Sequence, residues 1–586
     1  MSNLVFDIEA DGLKPTKIFC IVAQDVDTKE VFTYGPDQIK EGVAKLKTAD
    51  KLIGHNILGY DLPVIHRLEG VDLQKGKRII DTLVLSRLFN PNREKGHGLE
   101  TWGLKLGFNK IEFHDFDTYT EDMMTYCIRD VNLNLKVYNS LRVESKGFDR
   151  RCMDLEHDVY KIIMKQIDNG FKLDVKLAMK LVAELTEKVD DVVEQVHRTF
   201  LPRIEVTKLE AVYTKSGALS TMAKVVGEQR KVRLSDEEKN ILKQNPKTII
   251  ERKDSTPFNL GSRKQIGEYL IEFGWKPVKL TPTGQPIVDE TTLGKVRGIP
   301  EAQLIAEYLT LQKRVAQINS WLAVVTDEER VHGYVNTNGA VTGRMTHSKP
   351  NMAQIPASHS PYGKECRACW TVDKGNKLVG IDASGLELRM LAHYMNDEDY
   401  TDAILNGDIH TNNQKLAGLE SRNQAKTFIY ALLYGAGDAK LGTVVGGGRG
   451  HGKKLRERFL NNLPAYANLK DRVTRASKKG YVKGLDGRKL FVRSEHSALN
   501  TLLQGAGAIV MKESLVIFKD LLDNVDYSVQ FVANVHDEYQ VEVEERHADE
   551  VGKLGVKAIQ LAGDSLGLRC ALDGEYNVGN NWSETH

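Results

Sequence analysis

The hydrophobic rhythm of the chain changes along its length. Over residues 1 to about 145, short apolar runs of period two interrupt stretches of helical periodicity, which predicts an α/β module. "LVFDIEA", "IFCIVAQD" and "KLIGHN" read as strands, and "EDMMTYCIRDVNLNLKVY" as a helix. From about 150 to 200 the pattern turns helical, with "MDLEHDVYKIIMKQIDNG" followed by "LAMKLVAELTEKVDDVVEQVHRTF". Between Pro202 and about Ser255 the chain is polar and Lys-rich with little sustained periodicity, and is expected to be a solvated excursion between helices. "SRKQIGEYLIEFG" and "EAQLIAEYLTLQKRVAQINSWLAVV" resume helices. After Val331 the text becomes dense in Gly, Arg, His and Asp, the composition of site-bearing loops. There "KLVGID" predicts a strand ending at Asp382, "ASGLELRMLAHYM" a helix, and "FVANVHDEYQVEVE" two strands joined at His536, Asp537 and Glu538.

A chain of 586 residues exceeds one ordinary core, so two to four domains are expected. With 81 Lys and Arg against 80 Asp and Glu, the charge balance neither demands nor excludes a nucleic-acid partner. Six cysteines in so long a chain argue against a disulfide framework and fit a reducing compartment. The isolated Cys366-x-x-Cys369 pair is a weak zinc signal, because a second pair is missing. The N-terminus lacks the basic and apolar regions of a signal peptide, and no run approaches eighteen apolar residues, so no membrane span is expected.

Strand phase puts Asp7 and Glu9 on one face, roughly 7 Å apart, where like charges repel unless they face solvent or share a cation. Asp61 follows a Gly/Asn turn, and Tyr126 and Asp130 are four residues apart on one helix face. Each acid alone reads as a surface charge or a cap. The ordered set Asp-x-Glu, Asp, Tyr-x-x-x-Asp is more specific, and it resembles the 3′–5′ proofreading exonucleases of the DEDD type with a tyrosine. That resemblance assigns Asp7, Glu9, Asp61 and Asp130 to two divalent metals and Tyr126 to the attacking water. Hard oxygen donors suit Mg²⁺, with Mn²⁺ as the alternative.

The second acidic set is Asp382 and Asp537, each where a strand gives way to a turn. Between them, Arg422, Lys426, Tyr430 and Tyr434 recur at steps of four, a slanting helical stripe about 18 Å long. Phe428, Ile429, Leu432 and Leu433 fall largely off the stripe and pack it down. Two cations at a helix start suit a polyphosphate, and two aromatics beyond them suit a sugar and a base. An amphipathic helix with a basic rim would carry the same spacing.

"DASGLELR", "GDIHTNNQ", "RNQAKTFIYALLYGAG", "KGLDGRK", "NTLLQGAGA" and "VHDEYQVEV", with "GAVTGRMTHSKPNMAQIP", resemble family A DNA polymerases of the T-seven-like phage type over nearly the whole chain. The resemblance implies an α/β and α+β multidomain fold, in which an RNase H-like DEDD exonuclease domain precedes a right-hand polymerase. Its expected parts are the exonuclease at 1–148, a thumb and helical connection at 149–328 with a tip excursion at 202–255, palm at 329–395, fingers at 396–490 and palm again at 491–586. It gives Asp382 and Asp537 as ligands of two further Mg²⁺ ions, with Glu538 beside them in support. Arg422, Lys426 and His410 would contact the dNTP triphosphate, Tyr434 the nascent base pair, and Glu387 the sugar as part of a gate against a 2′-hydroxyl. Tyr430 occupies a Phe-or-Tyr position, where Tyr implies ready use of dideoxynucleotides. Arg344, Gln504 and His536 would line the primer–template minor groove, whose N3 and O2 acceptors occur in every correct pair. The implied partners are primer–template DNA, a helicase–primase and a single-stranded DNA-binding protein, in the cytoplasm of an infected bacterial host; no membrane is implied.

Three readings compete. "GGGRGHGKK" (446–454) matches most of a phosphate loop, but Lys454 replaces the hydroxyl residue that would hold Mg²⁺, so a flexible basic turn of the fingers is expected. A nuclease with a nucleic-acid-binding appendage would make the second acids structural. A single-subunit RNA polymerase is disfavoured by the exonuclease motifs and Glu387. No 5′-nuclease text precedes "LVFDIEADGL". Phage enzymes of this type can carry a thumb insertion that recruits host thioredoxin, but 202–255 is short and lacks a clear counterpart, so an enzyme working without thioredoxin is expected.

Overall fold

The alternation in the first strand sorts its side chains into two cores. In the computed structural model, which describes residues 2–586, β1 (Asn3–Ala10) sends Leu4, Phe6 and Ile8 into one apolar cluster and Val5 into another. It lies in a five-stranded mixed sheet with β2 (Ile18–Asp25), β3 (Val31–Tyr34), β4 (Lys51–Gly54) and β5 (Arg78–Asp81), ordered β3-β2-β1-β4-β5. β1 runs antiparallel to β2 and parallel to β4. Asp7 and Glu9 follow Val5 in phase, so they face the core built with α2 (Glu121–Glu144); α1 (Asp61–Glu69) begins at Asp61 itself.

α3 (Arg150–Asn169) is fastened to this module. The Asp81 N–H donates to His157 Nε2 (2.8 Å), and the Tyr160 hydroxyl donates to Asn56 Oδ1 (2.6 Å). The same helix faces a second, antiparallel sheet. β6 (Asn376–Ala383), β7 (Val529–Val535), β8 (Glu538–Glu544) and β9 (Gly574–Gly579) are ordered β7-β8-β6-β9. α4 (Leu386–Met395), α5 (Arg422–Leu433) and α6 (Ala498–Leu522) share its core through residues such as Leu386, Phe428 and Ile509. The Glu495–Leu522 segment is the one helix among the described residues long and apolar enough to cross a membrane, and 78% of that window is buried inside the fold. Its apolarity serves the core, since most of α6 is buried on all sides.

A buried ionic network joins α3 to α6. Glu156 Oε1 lies 2.5 Å from Arg488 Nη1 and 2.5 Å from Lys512 Nζ, and Arg488 Nη2 lies 2.6 Å from Asp486 Oδ2. All four side chains are buried, two of each sign, so the network is neutral. Burial still lowers the Lys512 pKa to about 8, against the pull of Glu156.

The described chain divides into two units. Residues 1–175 and 324–586 form the one just described, and residues 176–323 form the other. The second contains the Arg263–Glu272 and Pro300–Leu322 helices. It corrects one expectation: residues 202–255 are not a solvated excursion. They form a four-stranded antiparallel sheet, ordered Ile250–Thr256, Arg203–Tyr213, Leu219–Val225, Lys231–Arg233, with the helix Asp236–Gln244. Leu209, Ala223, Val225, Leu234 and Leu242 make its core, with Ala211, Leu219, Val232 and Ile250 packed against it. The 446–454 stretch is corrected likewise. Only Gly446 to Gly448 turn; the rest begins the helix Arg449–Asn462. The preceding "TVV" closes another helix, so no strand leads into it, and a Cβ on Gly452 would lie 1.8 Å from the Asp438 carbonyl oxygen.

Removing one partner of a buried network strands the others. Glu156→Ala should destabilise the fold by about 3–5 kcal/mol in urea melts. Lys519→Ala, which breaks an exposed pair with Asp523, should cost less than about 0.5 kcal/mol.

Candidate active sites

β6, an interior strand of the second sheet, carries Asp382 near its C-terminal end. Glu538 pairs opposite it on β8, and the two-residue loop His536–Asp537 closes β7 onto β8. His536 takes φ 59°, a left-handed conformation that glycine usually supplies, at a cost of about 1–2 kcal/mol. The Ala383 N–H donates to the Asp537 carbonyl (3.1 Å), which stitches the loop to the end of β6. Burial raises the Asp382 pKa to about 7, with Asp537 and Glu538 adding to it. Burial and then Glu387 raise that of Asp537. Two carboxylates that resist ionisation and offer only oxygen fit a hard divalent cation.

Glu538 is engaged otherwise. Its Oε1 accepts from Trp582 Nε1 (2.5 Å) and from Gln540 Nε2, and its Oε2 lies 2.8 Å from His586 Nδ1. The hydrogen bond to Glu538 raises the His586 pKa. Its lone pairs are largely used within the chain, as a supporting role requires. Sequence reasoning missed Trp582 and His586, because "DGEYNVGNNWSETH" has no period that would aim them at Glu538.

Glu387, in the first turn of α4, joins two other expected residues. Arg344 Nη2 and the Tyr434 hydroxyl both donate to its Oε1, each at 3.3 Å. Arg344 and His536 also line one small cavity of about 20 Å³ with Lys512 and Asn534. Burial and then Arg344 lower the His536 pKa, favouring the neutral ring. Gln504 stands one turn before Ala508, which lines the same cavity, on the same face of α6.

On α5 the stripe forms as expected as far as Tyr430. Ser421 and Gln424 cap the start reciprocally, and Phe428, Ile429, Leu432 and Leu433 are buried. Tyr434 caps the C-terminal end rather than continuing the helix, with its ring 6.4 Å from that of Tyr430. Arg422 Nε pairs with Asp408 Oδ2 (2.7 Å), and the His410 ring lies 6.3 Å from Tyr430. Burial, then Arg422 and Lys426, lower the His410 pKa. Arg422, Lys426, His410 and Tyr430 thus share one face, with both cations exposed.

The first-module acids also converge. Asp61 Oδ1 accepts from the Ile8 N–H (3.1 Å), which sets α1 against β1. Asp7, Glu9 and Cys127 place ligand atoms within 4.8 Å of one another, the one such group of three among the described residues. Cys366 and Cys369 therefore gain no third donor there. Burial lifts Asp7 well above the carboxylate range, with Asp61, Glu9 and Asp130 adding to it. Burial also lifts Glu9 to about 9 and Asp61 to about 7. Asp130 is raised by burial against the pull of Lys110, and its buried Oδ1 has no hydrogen-bond partner. An orphaned carboxylate oxygen beside three other acids fits a cation. Lys110, 2.5 Å from Asp130 Oδ2, and Cys127 were not legible: one lies in irregular chain, and the other reads as an ordinary core position.

Each raised carboxylate keeps its proton longer in the folded chain than in the unfolded one. Through these groups the folded state binds more protons between about pH 4, the ordinary carboxylate range, and about pH 9, the value for Glu9. His55, His97 and His347, whose pKa values burial lowers, act in the opposite sense below about pH 6.5, so in chelator Tm should fall as pH rises above that point. Mg²⁺ should restore more stability near the top of the window, since ligation needs deprotonated oxygens. Thermal melts across pH with and without Mg²⁺ test this; an equal Mg²⁺ effect at both ends would contradict the cation fit.

The profile of the family described as "DNA polymerase family A" matches residues 228–584. The DNA-directed DNA polymerase of Enterobacteria phage T3 is 35% identical, and that of Escherichia phage T7 is 34% identical, each alignment covering 100% of this chain and 100% of the relative. DNA polymerase I of Aquifex aeolicus is 30% identical over 55% of this chain and 58% of its own. Among solved structures, the POL domain of Pol1 from M. smegmatis, in complex with DNA primer-template and dNTP, is similar with a TM-score of 0.77. It is 18% identical, and the match covers 100% of this chain and 96% of that one.

Proposed function

The chain belongs to DNA polymerase family A and is a DNA-directed DNA polymerase of the T3 and T7 phage type, and from that premise we propose that it works through two separate acidic sites. The Asp382–Asp537 site extends a primer, and the Asp7–Glu9–Asp61–Asp130 site removes 3′ nucleotides. The observation that carries the synthetic assignment is the Ala383–Asp537 hydrogen bond, which holds the two aspartates together at one strand end.

In the synthetic site the primer 3′-hydroxyl attacks the α-phosphorus of a dNTP and pyrophosphate leaves. Asp382 and Asp537 would hold two Mg²⁺ ions, which when bound would supply charge stabilisation to the attacking and leaving oxygens. Arg422, Lys426 and His410 bind the triphosphate, so Arg422 exchanges its pairing with Asp408 for the incoming phosphates. Tyr430 and Glu387 meet the sugar, and Tyr434 meets the nascent base pair. Because Glu387 already binds Tyr434 and Arg344, the sugar gate, pair-stacking ring and minor-groove reader are positioned as one group. Arg344, Gln504 and His536 then test pair geometry without reading sequence.

The first module supports a proofreading role. Its mixed sheet and flanking helices suit an RNase H-like exonuclease, and its four acids would hold a second set of Mg²⁺ ions. Tyr126, held by Lys110, orients the attacking water. The thumb, fingers and palm boundaries, the helicase–primase and single-stranded DNA-binding partners, and action in the infected host's cytoplasm complete this reading. The small sheet at 203–256 supports a built thumb tip, and operation without thioredoxin remains our proposal for it.

Asp537→Asn should abolish primer extension and spare 3′ excision, whereas Asp7→Ala should do the reverse. Loss of both activities from either folded variant in gel-based assays would sink the two-site reading. Tyr430→Phe should raise discrimination against dideoxynucleotides in competition assays, and unchanged discrimination would remove Tyr430 from the sugar site.

A further inference from the structure

Lys110 belongs to no motif, yet it is the cation of the acid cluster around Asp7. It lies in irregular chain between the helix Leu99–Leu106 and α2, with 24% of its side chain exposed. Its ammonium is 2.5 Å from Asp130 Oδ2, donates to the Tyr126 hydroxyl at 2.7 Å, and lies 4.8 Å from the centre of the Tyr126 ring. The same irregular segment supplies Phe113 and Phe116, whose rings sit 5.4 Å and 6.1 Å from that of Tyr126. One stretch of chain therefore grips Tyr126 by its ring and its hydroxyl together.

Asp130 divides its two oxygens. Oδ2 faces the ammonium, and the buried Oδ1 has no partner. Four carboxylates against one ammonium leave the cluster three negative charges in excess when all are ionised. A divalent cation reaching Oδ1 relieves that excess but also meets the positive charge held on Oδ2. Lys110 therefore pulls in two directions: it weakens the hold on the cation while fixing the groups that must point correctly once the cation is bound.

We propose that Lys110 is a positioning residue for 3′ excision, locking the Tyr126 hydroxyl and Asp130 through one ammonium at some expense of divalent-cation affinity. The inference rests on the exonuclease reading of this cluster. A residue that merely supported the fold would, on removal, weaken cation binding and excision together. The positioning role separates them with opposite signs.

The test compares full-length protein with and without Lys110→Met. An Asp537→Asn background removes a ligand of the synthetic site, and Mn²⁺ binding is followed by electron paramagnetic resonance. Lys110→Met should bind Mn²⁺ more tightly at the first-module cluster, whereas Lys110→Arg should bind it as the parent does. With Asp537 intact, Lys110→Met should lower kcat for excision of a single-stranded oligonucleotide roughly tenfold. That loss should largely vanish in a Tyr126→Phe background, and primer extension should stay unchanged as the control for folding. Weaker or unaltered Mn²⁺ binding, or a kcat loss of the same size with Tyr126→Phe, would overturn the proposal. If the parent excises nothing and Asp7→Ala changes nothing, the exonuclease reading itself has failed; the Mn²⁺ titration then still decides whether Lys110 opposes the cation.

Discussion

Crowding like charges at the end of a buried strand is unfavourable, and this chain does so twice. Asp7 and Glu9 sit on one face of β1 with Asp61 and Asp130 against them, and Asp382 sits on β6 with Asp537 and Glu538 beside it. Burial is the largest cause of every raised carboxylate pKa in both groups. The surrounding structure holds these groups where they repel: an Ile8 N–H on Asp61, an Ala383 N–H on the Asp537 loop, and a left-handed His536. Such arrangements are stable only when the rest of the fold outweighs them, and they mark where chemistry was favoured over stability.

The two clusters resolve their repulsion by different local means. Around Asp382 the third acid is removed from competition, since Trp582, Gln540 and His586 occupy the oxygens of Glu538. Around Asp7 the chain supplies a counter-charge instead, through Lys110 on Asp130. The exposed cations of α5 follow a third rule. Arg422 is held by Asp408 at the surface, a contact that solvent screens.

How much of this the sequence made legible depends on the range of the interaction. Period-two alternation around Asp7 and steps of four along α5 are local, so strand, helix and facing direction could be read directly. Asp382 and Asp537 were readable as strand ends, because a turn follows each. Trp582 and His586 were not, since their meaning arises only when β9 and the segment after it lie beside β6. Lys110 was hidden for the same reason, in chain without periodicity. The sheet at 203–256 escaped notice because its buried core is only five residues, while Ile204, Val206 and Tyr213 of the same region lie exposed. The glycines at 446–448 misled in the opposite sense, their density suggesting a loop where a helix starts.

One helix carries neighbouring residues in two directions. Along α3, Glu156 reaches Arg488 and Lys512, while His157 and Tyr160 reach Asp81 and Asn56. The contacts on either side are buried, and two of them are ionic, so the helix behaves as a girder rather than a hinge. The separation between the two acid clusters is then a fixed length of the molecule.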